Sequence, residues 1–234
     1  MTVHSGRPRS RRERPAKPAL TRAGIVTVAV GITRAEGLQR VTMRRLAQEL
    51  DTGPASLYVY IRDTAELHAA VLDELLGVVD LGPARQEGDW RERLEAVLTS
   101  YTMVLFEYPG LAQSALVTHP SGEHYLTLIE ALLALLDEGG VPPAQAAWGV
   151  DLLLQYATAT AAEQVSRDHA ADAEEEWNAL TRALRGASGR THPHIAALAG
   201  ELLSGEPEHR LSWGFRVLID GIARTPTPGA TPSP

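Results

Sequence analysis

Between Thr42 and Leu67 the chain places short, polar and aromatic residues at a spacing that suits the reading of a duplex. The run TMRRLAQELDTGPASLYVYIRDTAEL predicts a short helix, a break at Asp51, Thr52 and Gly53, and a second helix opened by Pro54, which suits a first turn because its missing N–H would be unpaired there anyway. A helix enters the major groove only where its exposed N-terminal side chains are short enough for the backbone to approach base edges, and Pro54, Ala55 and Ser56 are short. Leu57 and Ile61, four residues apart, are expected to hold this helix to a core. Tyr58, Tyr60 and Arg62 offer hydroxyl and guanidinium groups to phosphate oxygens on either side, while Arg44 can reach a guanine edge or a phosphate and Thr42 adds a hydroxyl donor. Double-stranded DNA is therefore the first partner to expect; the competing arrangement is a packed helical hairpin with no ligand.

Other chemistries find little footing. The chain has no cysteine, which excludes disulfides, a thiol nucleophile, a thiolate zinc site and an iron–sulfur cluster. No Gly-x-Ser-x-Gly, phosphate loop or dinucleotide fingerprint is present. His119 with His124, and His192 with His194, lack the carboxylate neighbours of a zinc motif, so neither a metal nor a cofactor is expected. Charge-free runs such as Leu152 to Ala162 are shorter than a membrane span needs, and the arginine-bearing start has no apolar stretch behind it. These features predict a cytoplasmic, nucleoid-associated protein that is not an enzyme.

Charge separates along the chain. Met1 to Ala70 holds twelve basic and six acidic side chains, whereas Val71 to Pro234 holds ten basic and twenty-three acidic, so the net −7 is a sum of opposites. A basic segment on an acidic body meets a polyanion through one end only, because the remainder is repelled.

The elements that must position these residues read as helical throughout, in an all-α chain. Residues 1–18 are too rich in Arg, Pro, Ser and Gly to bury a core and predict a disordered basic arm; residues 225–234 repeat Pro and predict a disordered tail. Residues 19–66 form the expected helix-turn-helix unit: a helix over 22–35 capped by Thr21 and ended by a left-handed Gly37, a second over 43–50, and a third of about two turns from Pro54 to Ile61. A connecting helix follows from Thr64 to about Leu81. Further helices are expected at 90–107, 111–117, 121–138, 143–169, 172–184, 193–203 and 208–223, which with the connecting helix make up a second unit, 67–224.

The stretch from Thr21 to Asp73 resembles the tetracycline-repressor-like (TetR) family of bacterial transcriptional regulators. Ala35 to Gly37, Val41 to Ala47, Ser56 to Ile61 and Glu66 with Leu67 carry the likeness. It implies an all-helical homodimer with an N-terminal DNA-binding domain and a C-terminal domain for ligand and dimerisation, acting most often as a repressor that a small molecule releases from a palindromic operator. By position, Arg44, Ala55 and Ser56 match the family's base contacts, Thr42 and Tyr58 its phosphate contacts, and Pro54 a common contact. Two departures stand out. Asp51 occupies a turn position usually held by Gly, and Thr64 replaces a phosphate-touching lysine. Gly6 to Arg9 resemble a minor-groove hook.

For the ligand side, Tyr101, Leu105, Tyr125, Trp148, Leu152, Gln155 and Tyr156 are the candidate pocket, with Gln155, Thr158 and Thr160 as orienting polar groups for a largely apolar molecule. Leu211, Gly214, Phe215, Leu218 and Ile222 form one stripe on the last helix, expected to pack against a symmetry mate. The resemblance further implies that ligand favours a dimer whose reading helices stand too far apart for the operator, levered by the connecting helix. A non-specific architectural DNA protein and an enzyme with a helical pocket are the alternatives.

Overall fold

The structure is a computed structural model describing residues 19–228 apart from 109, 118, 119, 170 and 171, with no account of the side chains of 168 and 169. Eleven α-helices and no strand are found among the described residues. The basic arm, His119 and residues 229–234 lie outside them.

Helix α1 (Arg22–Glu36) begins where the Thr21 hydroxyl accepts from Gly24 N at 3.0 Å. It buries Ile25, Ala29 and Ile32, leaving Val28 at the margin. Gly37 ends it with φ 87° and ψ 157°, an extended mirror-image conformation that differs from the left-handed helical one expected. A short 3₁₀ turn, Leu38–Arg40, leads to α2 (Met43–Glu49), whose first turn is capped by Thr42 Oγ1 accepting from Arg45 N at 3.1 Å. The turn after α2 satisfies two orphan carbonyls at once: Thr52 N donates to Ala47 O at 2.8 Å and Asp51 N to Gln48 O at 3.2 Å. That closure needs one residue of positive φ. It falls on Asp51, at 48°, while Gly53 stays at −80°.

Helix α3 (Pro54–Leu57) is shorter than its expected two turns. Past Leu57 the chain tightens: Tyr60 N and Ile61 N both donate to Leu57 O, at 2.9 and 3.0 Å. Helix α4 (Thr64–Leu76) starts on Asp63, whose carboxylate accepts from Glu66 N at 2.8 Å, while Glu66 returns a carboxylate oxygen to Arg62 N at 2.9 Å. It stops short of the predicted Leu81. At Gly77, Val78 and Val79 the backbone bonds fall back to three-residue spacing, and a 3₁₀ turn, Gly82–Arg85, follows.

The body comprises α5 (Trp90–Glu107), the short α6 (Leu111–Ala115), α7 (Glu123–Glu138), α8 (Pro143–His169), α9 (Ala173–Arg185), α10 (Pro193–Leu202) and α11 (Pro207–Arg224). Helix α5 packs against α7, α8 and α11, burying Leu94, Val97, Leu98, Leu105, Leu132, Leu136, Leu153, Ala157 and Phe215. Helices α9 and α10 pack on each other and bury no residue of their own.

Besides the packing of α4 on α5, α6 and α7, two close contacts tie the connecting helix and the N-terminal unit to this body. Asp73, on α4, accepts from Tyr125 N at 3.0 Å and so caps the first turn of α7, where Gly122 offers no side chain for the purpose. The fit is close, since a Cβ on Gly122 would lie 2.0 Å from the Asp73 carboxylate. Gln39 lies against Gly110 at the start of α6, where a Cβ would come within 1.9 Å of its amide nitrogen.

Candidate nucleic-acid interface

A single side chain, Leu57, anchors α3, and it is fully buried together with Ile61 just beyond. Pro54, Ala55 and Ser56 are exposed, so the short face at the start of α3 stands bare, as the sequence predicts. Beneath it the core of Ile25, Ala29, Leu46, Leu57, Ile61, Leu67 and Val71 joins α1, α2 and α4 into the platform. One more bond steadies that platform: His68 on α4 donates Nε2–H to Val41 O at 2.9 Å, tying the connecting helix to the residue that precedes the α2 cap.

All eight candidate residues lie at the surface of this unit. Thr42 and Arg44 are exposed at the start of α2, and the Thr42 oxygen accepts from Arg45 N, which leaves its own proton free to donate. Arg44 makes no ion pair with any described residue, whereas its neighbour Arg45 is spent within the chain, bonding Glu36 at 2.8 Å and Glu49 at 2.6 Å. Those two carboxylates raise the Arg45 guanidinium above its ordinary range. Tyr58 and Tyr60 are 55% and 38% exposed on the turn that follows α3. Arg62 is exposed but turned back on Asp63, Nε to Oδ2 at 3.0 Å. A pair this open to water is weak, and a phosphate would compete for it. Asp63 is held below the usual carboxylate range, first by the backbone N–H of Glu66 and then by Arg62. Absent from the sequence reading is Val59, 78% exposed between the two tyrosines. The spacing of its anchors, Leu57 and Ile61, is the signal that could have found it, since at helical geometry it puts residue 59 on the opposite side.

The ligand candidates do not line one cavity. Tyr101 and Leu105 are buried inside the body, and the Tyr101 hydroxyl shares a 2.8 Å hydrogen bond with Thr158 on α8, fifty-seven residues away. Burial pushes the Tyr101 phenol up to about 12, the bond to Thr158 offsetting part of that rise. Tyr125 is half-buried beside it, its phenol also raised by burial. Trp148, Leu152 and Gln155 face the other way, out of the body, and Thr160 is half-buried. Tyr156 packs edge-on against Phe215, ring centres 5.4 Å apart. Helix α8 is apolar on two sides, so a stripe chosen by spacing alone mixed its inner and outer faces.

The stripe expected to meet a symmetry mate is likewise displaced. Leu211, Gly214, Phe215 and Ile222 are buried against the chain's own α5 and α8, and only Leu218 stays partly open. Gly214 does permit close approach, but to Tyr156 of the same chain, whose hydroxyl would sit 2.0 Å from an added Cβ. The outward face of α11 instead carries Trp213 and Val217, and with Trp148, Gly149 and Leu152 of α8 it borders an apolar groove of about 450 Å³. Thr225 to Pro228, expected as part of a disordered tail, lie along this groove. Of the histidines raised as metal ligands, His192 is exposed and bonds Thr191 at 2.9 Å, and the described residues contain no group of three or more metal-ligating side chains. None of the described helices is long and apolar enough to cross a membrane.

A bare helix-turn-helix carried on a larger helical body is the build of a DNA-binding regulator. Comparison with known proteins agrees. Residues 82–225 match the model of the tetracyclin repressor-like C-terminal domain. The transcriptional repressor DrrR1 of Streptomyces coeruleorubidus is 30% identical over 91% of this chain and 80% of its own length. Among solved structures, the Streptomyces transcription regulator SCO7704 is 60% identical, with TM-score 0.76 over 92% of this chain and 100% of that one. The TetR-family protein ActR of Streptomyces coelicolor, bound to actinorhodin, is 35% identical, with TM-score 0.78 over 88% and 96% of the two chains. The chain belongs to the TetR family of transcriptional regulators.

Proposed function

We propose that this protein is a repressor that sits as a homodimer on a palindromic operator in the bacterial cytoplasm and is released by a small, largely apolar molecule. The observation that carries the reading is the exposure of Ala55 and Ser56 over a fully buried Leu57, which leaves α3 short-faced toward a groove and rigid behind. Thr42, Arg44, Pro54, Tyr58, Tyr60 and Arg62 surround that face as its further DNA contacts, and residues 19–66 constitute the reading unit.

Residues 67–224 form the ligand and dimerisation unit. Support for a ligand comes from ActR, solved with actinorhodin, and from the buried Tyr101–Thr158 pair, two hydroxyls inside the body with the Tyr125 phenol nearby, where an incoming molecule could exchange hydrogen bonds. Support for a dimer comes from apolar side chains that one copy leaves uncovered: Trp148, Leu152, Trp213 and Val217 on the α8–α11 face, and Trp177, Leu180, Leu198 and Leu202 on the α9–α10 hairpin. Release works by population shift. A ligand that binds better to a dimer with α3 helices misplaced for the operator drains the bound state, and the Asp73 cap makes α4 answer to α7.

Footprinting on random-sequence selected duplexes tests the whole reading. Two protected half-sites are expected, their centres one or more helical turns apart, about 34 Å per turn. Sequence-independent protection would overturn it, and equal ligand affinity for free and operator-bound protein would overturn the release step.

A further inference from the structure

We infer that Val59 reads sequence, seating against the 5-methyl group of a thymine in the major groove. This rests on the operator-binding reading above and adds a specificity residue to it. Between Pro54 and Ile61 the side chains directed into the core are Leu57 and Ile61, both essentially without exposure. The backbone past α3 remains close to helical, since Ile61 N donates to Leu57 O at 3.0 Å and Tyr58 keeps φ −66° and ψ −13°. At about 100° per residue, Val59 then projects opposite the midpoint of Leu57 and Ile61, on the same side as Ala55 and Ser56. Its exposure confirms the direction: 78%, above either flanking tyrosine. Val59 is no part of the hydrophobic core, so packing within the chain gives no reason for an apolar residue there.

The chemistry of the groove narrows the partner. A valine side chain neither donates nor accepts a hydrogen bond, and among the major-groove edges of the four base pairs the one apolar group is the thymine methyl. A branched Cβ restricts χ1, so little rotamer freedom is lost on docking. Ala55 and Ser56 are shorter, which makes Val59 the furthest-reaching apolar group on this face.

Deoxyuridine removes that methyl and nothing else. With a site enriched from random duplexes by the full-length protein, each thymine is replaced singly by deoxyuridine and affinity is measured for wild type and Val59→Ala. The expected result is one thymine per half-site whose replacement weakens wild type about fourfold, the scale of one buried methyl, and weakens Val59→Ala less than twofold. Val59→Ala should bind the unmodified site about as weakly as wild type binds the deoxyuridine site, with an unchanged melting temperature. If wild type is indifferent to every replacement, or Val59→Ala keeps the full sensitivity, the inference fails while operator binding stands. Should selection enrich no site at all, operator binding fails first and this inference with it.

Discussion

Arg44 and Arg45 are adjacent in sequence and have opposite roles in the structure. Arg45 is clamped between Glu36 and Glu49 and braces α1 against α2; Arg44, at the surface, pairs with no carboxylate among the described residues. Arg44→Ala should therefore weaken operator binding by about 1–3 kcal/mol and leave the melting temperature in place, whereas Arg45→Ala should lower the melting temperature. Fluorescence anisotropy and thermal melts read the two effects separately. Tyr101 is the residue whose titration should be visible inside the body. Its phenol is raised to about 12, so the stability it contributes is complete below the unfolded value near 10 and drains away as pH climbs from there through about 12. Ultraviolet titration should show Tyr101 and Tyr125 ionising later than an exposed tyrosine, and Thr158→Val should leave the Tyr101 hydroxyl without this partner and lower stability by about 1–2 kcal/mol.

Among the helices, α3 and α4 have most to do with few residues. A four-residue helix has almost no stability of its own, so α3 exists because Leu57 is buried beneath it. Leu57→Ala should cost about 2–5 kcal/mol in denaturant unfolding and loosen the face that carries Ala55 and Ser56. Helix α4 does double service, receiving a cap from Asp63 and giving one to α7 through Asp73. Asp73→Ala strips the first turn of α7 of its acceptor and should cost about 1 kcal/mol, measured by chemical denaturation. Asp63 has the acid-side signature. Its carboxyl is held low in the folded chain, so the stabilisation is present above about pH 4 and disappears as pH falls through the depressed value.

For the molecule entire, one end of the chain is basic and the other acidic, and the apolar groove between α8 and α11 is where the proposed homodimer would bury its exposed side chains. Leu152→Glu or Trp148→Glu places charge in that groove without touching the core, so sedimentation should show a monomer and operator affinity should fall at least tenfold as paired half-site binding is lost. Phe215→Ala, by contrast, empties a fully buried site and should destabilise the fold itself by about 3–5 kcal/mol. Removing residues 1–18 should flatten the salt dependence of binding and leave the preferred sequence unchanged; loss of all binding would favour an architectural protein.

Local chemistry was legible from the amino-acid order alone. The cap at Thr21 and the proline opening α3 depend on neighbours a few residues away, and α3 showed itself because its short face and its anchor repeat at helical spacing. Facing was another matter. A period of 3.6 announces an apolar side without saying whether the chain's own body or a second copy will cover it, which is why the α11 stripe turned inward and Trp148 and Leu152 turned out. Nor does spacing reveal partners 52 or 57 residues apart, such as Tyr125 with Asp73 and Tyr101 with Thr158, because those bonds exist only once packing has paid the entropy of closing the loops between them.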